Sequence, residues 1–239
     1  MFRRKKAKQQ PIQTRPSLVL PHPDGSALME FPVEVIDSVR RLVARVGRDS
    51  AFPERLALTS ALRQEGTTFI SRALAATLAH DLGATVCVVE LNWWWPSEWG
   101  TAVSPTHSLA SVLSGQASLD EAILHTGWPN LAVLPAGKID ATRRSMLAHS
   151  SVLRELIAEL DARFDHLILD IPAILATNDA MPLASLASAC SLVVRQGITS
   201  IEDTKSALDD IAHLEVLGII MNQVELATPA ALLKYIPQN

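Results

Sequence analysis

The sequence predicts an α/β protein with a doubly wound, mostly parallel sheet and helices on both faces. Three observations predict it. Short apolar runs with little polar alternation suit parallel strands covered on both sides, and helical patterns fill most of the intervals between them. The composition, 48% hydrophobic and 19% charged over 239 residues, suits a globular chain long enough to bury a core without disulfides or metals.

Residues 1–28 hold Pro11, Pro16, Pro21 and Pro23 with no sustained periodicity, and read as a basic, proline-rich flexible tail. Residues 29–239 read as one domain. The domain opens with an amphipathic helix, because Val35, Ile36, Val39, Leu42, Val43 and Val46 share one helical face while Arg40, Arg41 and Arg45 fall mostly off it. Strands are expected at Leu56–Leu58, Thr85–Leu91, Leu131–Leu134, His166–Ile171, Ser191–Val194 and Val216–Met221. The helical patterns lie at Thr67–Leu82, Leu119–His125, Thr142–Leu160, Asp179–Ala187 and Ile201–Leu214. There is no internal repeat.

Net charge is −4. Arg3, Arg4, Lys5, Lys6 and Lys8 supply five positive charges, and taking five from −4 leaves the rest at −9. An acidic body argues against nucleic-acid binding, which needs a basic face. The basic tip is either a solvated tail or a peripheral contact to anionic inner-membrane lipid, at about 1 kcal/mol per charge. No apolar run approaches the roughly 18 residues of a membrane span, and Gln9, Gln10 and Pro11 follow the basic start where a signal peptide has an apolar core; a cytoplasmic protein is expected. Cys87 and Cys190 sit singly inside apolar runs and read as two buried thiols. The histidines show no paired ligand spacing.

In a sheet of this kind ligands bind beyond the carboxyl ends of the strands, where loops feed helix N-termini. The first expected strand ends at Leu58, Thr59 and Ser60, runs through Ala61, Leu62, Arg63, Gln64, Glu65 and Gly66, and enters a helix at Thr67 and Thr68. This is the position and length of a P-loop, whose pattern GxxxxGK[ST] supplies glycines that let N–H groups wrap phosphates, a lysine for the terminal phosphates and a hydroxyl for magnesium. Aligned on Gly66, the first glycine is Ala61, the lysine is Thr67 and the magnesium hydroxyl is Thr68. Threonine brings no charge, and losing such a group costs orders of magnitude in phosphoryl transfer. The loop is then either a weak anion site made by a helix N-terminus or an ordinary turn. Asp170, where an apolar strand meets its loop, stands where P-loop enzymes hold magnesium with the hydroxyl at Thr68.

The ordered segments "LTSALRQEGTT", "VCVVELNWWWP", "LASVLSGQASLDEAI", "NLAVLPAGK" and "FDHLILDIPAILATNDA" resemble the cytoplasmic kinase domain of bacterial tyrosine kinases. These are capsule and exopolysaccharide chain-length regulators related to the MinD and ParA P-loop ATPases. The similarity runs from about Asp37 to Val224, and the family's versions are a TSxxPGEGKST-like loop, DxDxRxP, GLSDVLxGxxxxEEAI, NLxVLPAG and YDxVIIDTPPxxxxxDA. The resemblance implies that Glu90 and Asn92 stand where two aspartates act, that Trp94 replaces an arginine, and that Glu90 and Asp170 remain as a carboxylate pair. It implies ATP or ADP with magnesium as cofactors, held by Arg63, Glu65, Gly66, Thr67, Thr68 and Asp170, although the losses at Ala61, Thr67 and Asn92 leave none certain. It also implies self-association through an ExxRxxR helix, of which Asp37 and Arg40 remain, and an autophosphorylated tyrosine tail, for which Tyr235 is the single tyrosine.

Trp93, Trp94, Trp95 and Trp99 are open to two readings. Three adjacent rings cannot all point into one core, so at least one is expected at the surface, as an interface or as filler of a vacated pocket. The expected function is a catalytically degenerate relative acting as scaffold or regulator of polysaccharide synthesis and export, with the cytoplasmic segment of an inner-membrane export protein as partner. Two alternatives are an active ATPase or tyrosine autokinase that recruits a cation such as Arg63, and a MinD- or ParA-like positioning ATPase.

Overall fold

A computed structural model describes residues 18–49, 51–96 and 107–224. Trp99, Tyr235 and the basic tip lie outside them.

Seven strands form the central sheet: β3 (Arg55–Ser60), β4 (Val86–Glu90), β5 (Leu124–His125), β6 (Leu131–Leu134), β7 (His166–Asp170), β8 (Ala189–Arg195) and β9 (Val216–Asn222). Their order is β5-β6-β4-β7-β3-β8-β9, parallel throughout except for β5, which runs antiparallel at one edge. The doubly wound sheet predicted from the sequence is present, with every predicted strand in place.

Strand periodicity divides the core. Leu56, Leu58, Val86, Val88, Leu131, Val133 and Ile168 face one layer, built with helices α1 (Val33–Asp49) and α2 (Thr67–Leu82). Ala57, Cys87, Val89, Ala132, Leu134, Leu167 and Leu169 face the other. That second layer is built from the helices that follow β4, namely α3 (Leu109–Leu113), α4 (Leu119–Ala122), α5 (Ala141–Ala148), α6 (Ser151–Asp161), α7 (Ala180–Ala184) and α8 (Ile201–Asp210), numbered among the described residues. Cys87 and Cys190 are both buried free thiols, and burial pushes each up to about 12. No helix among the described residues is long and apolar enough to cross a membrane.

Three elements differ from the sequence reading. The tail expected to reach residue 28 gives way earlier, because β1 (Leu18–Pro21) and β2 (Ala27–Phe31) pair as an antiparallel hairpin. Leu20 and Phe31 enter the α1–α2 layer almost fully buried, and the Pro21 carbonyl accepts from the Gly127 N–H at 2.7 Å. Pro21 and Pro23 disguised the hairpin; one ends a strand and the other sits in the turn. The helix expected over Thr142–Leu160 is two, α5 and α6. Ser150 interrupts it by capping α6, its hydroxyl accepting from the Leu153 N–H at 3.2 Å. Leu119–His125 is only one turn of helix, opened by a capping box between Ser118 and Glu121, before the chain turns into β5.

Candidate functional site

The loop 61–66 joins β3 to α2 and is held in shape by its own residues and by Ser60, Thr199 and Asn222. Ser60 Oγ donates to the Leu62 carbonyl at 2.8 Å, and the Leu62 N–H donates to Glu65 Oε2 at 2.9 Å. The other Glu65 oxygen accepts from the Thr199 hydroxyl, and the Glu65 carbonyl accepts from Asn222 Nδ2 at 2.8 Å. The Glu65 side chain, expected to face a cofactor, instead turns inward, is 1% exposed, and braces the loop. Gln64 and Gly66 take positive φ, 65° and 91°. At Gly66 a Cβ would lie 2.1 Å from Asn222 Nδ2, so only glycine fits both the angle and the space. The Ile70 N–H bonds the Gly66 carbonyl at 3.0 Å and starts α2.

Below the loop the ends of β4 and β7 place Glu90 beside Asp170 in parallel register. Thr68 Oγ1 donates to Asp170 Oδ2 at 2.6 Å, joining the two residues expected to share magnesium. Asp170 is 2% exposed, and its Oδ1 is buried with no hydrogen-bond partner. Burial, then the charge of Glu90, push its carboxyl up to about 7, against the Thr68 bond and the Arg72 charge. Glu90 is met by Arg72, whose Nη2 lies 2.5 Å from Glu90 Oε1, both side chains being nearly sealed from solvent. Sequence reasoning missed Arg72, although a lone cation in the otherwise apolar stretch "FISRALAATLA" was the available signal. A charge inside a buried helix needs a buried partner.

The tryptophans divide between the core and the loop cavity. Trp93 is 1% exposed in the second core layer and stacks on Trp94 at 5.7 Å between centroids. Burial removes Trp93 from the expected interface. Trp94 and Trp95 are half-buried, each reaching the surface only in part, where the sequence reading expected at least one ring exposed. The Trp95 N–H donates to Asn92 Oδ1 at 3.2 Å, and the Arg63 guanidinium lies 4.0 Å over the Trp95 ring. Together Arg63, Thr67, Thr68, Asn92 and Trp95 line a cavity of about 260 Å³. On α1, Asp37 and Arg40 are 3.5 Å apart, and Arg40 forks onto Asp81 of α2 at 2.6 and 3.0 Å. Within the chain this arginine therefore staples α1 to α2.

The residues fit the two halves of a magnesium nucleotide unequally. Thr68 and Asp170 offer a hard cation a hydroxyl and a buried carboxylate with an open oxygen, the donor type magnesium takes. The polyphosphate is poorly matched: position 67 carries no cation, the Leu62 N–H is consumed by Glu65, and the cavity is below the roughly 300–1,000 Å³ of small-molecule sites. Among the described residues no group of three or more His, Cys, Asp or Glu stands together as a metal cluster.

No protein-family model matches the chain. It is 31% identical over 173 residues to the tyrosine-protein kinase YwqD of Bacillus subtilis, covering 71% of this chain and 72% of that one. It is 26% identical over 199 residues to the tyrosine-protein kinase ptk of Acinetobacter johnsonii, covering 82% of this chain but only 27% of the relative's length. Among solved structures, the kinase domain of VpsO superposes with a TM-score of 0.71 at 24% identity, over 81% of this chain and 96% of that one. The septum site-determining protein MinD of Pyrococcus horikoshii, solved with Mg-ADP, gives 0.58 at 22% identity over 77% of each chain. The two structures agree with this chain in fold.

Proposed function

Since the chain belongs to the bacterial tyrosine-protein kinase family, we propose that it is a catalytically degenerate member, acting as a scaffold or regulator in polysaccharide synthesis and export. The observation that carries this reading is the state of the loop cavity: Thr67 stands at the lysine position, and Arg63 and Trp95 stack on one another at its wall. The buried charge chemistry beneath it is largely self-contained, because Glu90 is met by Arg72 rather than left to a ligand. Thr68 and Asp170 would hold a magnesium ion if one bound, and it would supply positive charge to phosphate oxygens. The rest of the loop supports shape more than catalysis.

As a scaffold the protein works from the cytoplasmic side, with the cytoplasmic segment of an inner-membrane chain-length or export protein as its partner. Self-association through the α1 face and peripheral membrane contact through the basic tip belong to the same reading. The test is calorimetry with ATP and magnesium together with a turnover assay. The reading expects no micromolar binding and no turnover above a no-protein blank.

A second reading has one observation in its favour. Arg63 lines the same cavity as Thr67 and Thr68, so a guanidinium stands near the missing ammonium. On this reading the protein is an active ATPase or tyrosine kinase that uses Arg63 as its phosphate cation. Micromolar ATP binding, with turnover abolished in both Arg63→Ala and Asp170→Ala, would decide for it.

A further inference from the structure

A second cavity, of about 480 Å³, opens at the same carboxyl edge of the sheet. It lies beyond β4 and β6, walled by Glu90, by Ser108 and Ser111 of the α3 turn, and by Lys138, Asp140 and Arg143 at the entry to α5. It is nearly twice the size of the loop cavity and within the range of small-molecule sites. We propose that it binds a small phosphorylated, hydroxyl-rich molecule.

The charges decide the ligand's sign. Glu90 faces the cavity, but Arg72 meets its charge from behind. Asp140 is committed as the cap of α5, its Oδ1 accepting from the Thr142 N–H at 2.9 Å and the Thr142 hydroxyl at 2.6 Å. Lys138 and Arg143 form no ion pair within 4 Å among the described residues, and although Asp140 keeps its charge, chiefly through its Thr142 hydrogen bonds and partly through Arg143, the two cations leave this wall net positive in an otherwise acidic body. A phosphate offers a guanidinium and an ammonium what each binds best, a fork and a point charge.

The hydroxyls decide the rest of the molecule. Ser108 and Ser111 are almost fully buried, with their Oγ atoms 3.2 Å apart, and Ser114 and Gln116 continue the polar wall. Gly137 holds that wall close: at φ 70° a Cβ would lie 2.2 Å from Ser108 Oγ. Serines, an amide and carboxylate oxygens in one pocket supply the mixed donors and acceptors a polyol needs, and a bare phosphate would leave them unused. The inference stands apart from whether the loop cavity holds nucleotide.

The test is isothermal calorimetry on the full chain with glucose 1-phosphate, inorganic phosphate and glucose as probes, repeated on Lys138→Ala/Arg143→Ala. Both of these side chains are exposed, so the double variant should keep the wild-type circular dichroism spectrum and melting point. The expected result is saturable binding of glucose 1-phosphate, weaker binding of either half alone, and at least about a tenfold loss in the double variant. No saturable binding by the wild type, inorganic phosphate binding as tightly as the sugar phosphate, or full affinity retained in the folded double variant would each overturn it.

Discussion

Arg72 Nη2 and Glu90 Oε1 meet 2.5 Å apart at the boundary between α2 and the end of β4, where both side chains are nearly sealed from water. Such a pair contributes little net stability as a pair, but either partner left alone is a buried unpaired charge. Arg72→Met should therefore cost about 3–5 kcal/mol in urea unfolding. The double variant Arg72→Met/Glu90→Gln should recover a large part of that loss. Equal losses in the single and double variants would mean that the arginine acts through packing alone.

Asp170 predicts a pH dependence. Its folded pKa, about 7, lies above the ordinary 3.8, so between those values the folded protein holds a proton that the unfolded chain has released. Stability from this group is fully present below about pH 4 and falls as pH rises to about 7. Asp170→Asn keeps a partner for Thr68 without the ionisation. Its stability relative to wild type should rise across that window by an amount on the order of a few kcal/mol. Chemical denaturation at steps from pH 4 to pH 8 measures it, and parallel curves for the two proteins would contradict it.

Gly66→Ala should destabilise the protein by about 1–3 kcal/mol, since it adds strain at φ 91° and drives a methyl into Asn222 Nδ2. Adding Asn222→Ala should relieve the collision but not the backbone strain. A melting-point series over the wild type, both single variants and the double variant separates the two costs.

Thr67→Lys places a cation at position 67, where the P-loop pattern has its lysine. On the degenerate reading it should raise affinity for ATP with magnesium by at least about tenfold, the worth of one charge-assisted contact. Combining it with Trp95→Ala should raise affinity further, because the ring and Arg63 stand at the mouth of a cavity of about 260 Å³. Fluorescence titration with a labelled ATP analogue reads both steps. No gain in either variant would place the obstacle in the loop's shape rather than in its missing charge.

Much of the fold was legible because parallel strands buried on both faces announce themselves as unbroken apolar runs, as in "VCVVEL" and "HLILDI". The hairpin at Leu18–Phe31 was hidden by prolines, whose local meaning outweighs a weak two-residue period. The break between α5 and α6 depended on one capping serine within a continuous helical pattern. At the site, the Thr68–Asp170 contact could be anticipated because the loop and the strand end each have a fixed place in such a sheet. The inward turn of Glu65 could not, because its partners, Leu62, Thr199 and a strand ending in Asn222, converge only in three dimensions. The same holds for Trp93: three identical neighbours give no sequence cue as to which one the core takes.

Asn222 closes β9, the outermost strand on its side of the sheet, yet its side chain is fastened to the loop at Glu65. Edge strands are among the first elements of a protein to fray. The bond makes that fraying a clock for the loop: the turn at Gly66 can relax only as often as the sheet's border lets go. Hydrogen exchange at the end of β9 and around Gly66 should accordingly share one opening rate, slowed together by whatever clamps the border and separated into two rates when Asn222 is cut back to alanine.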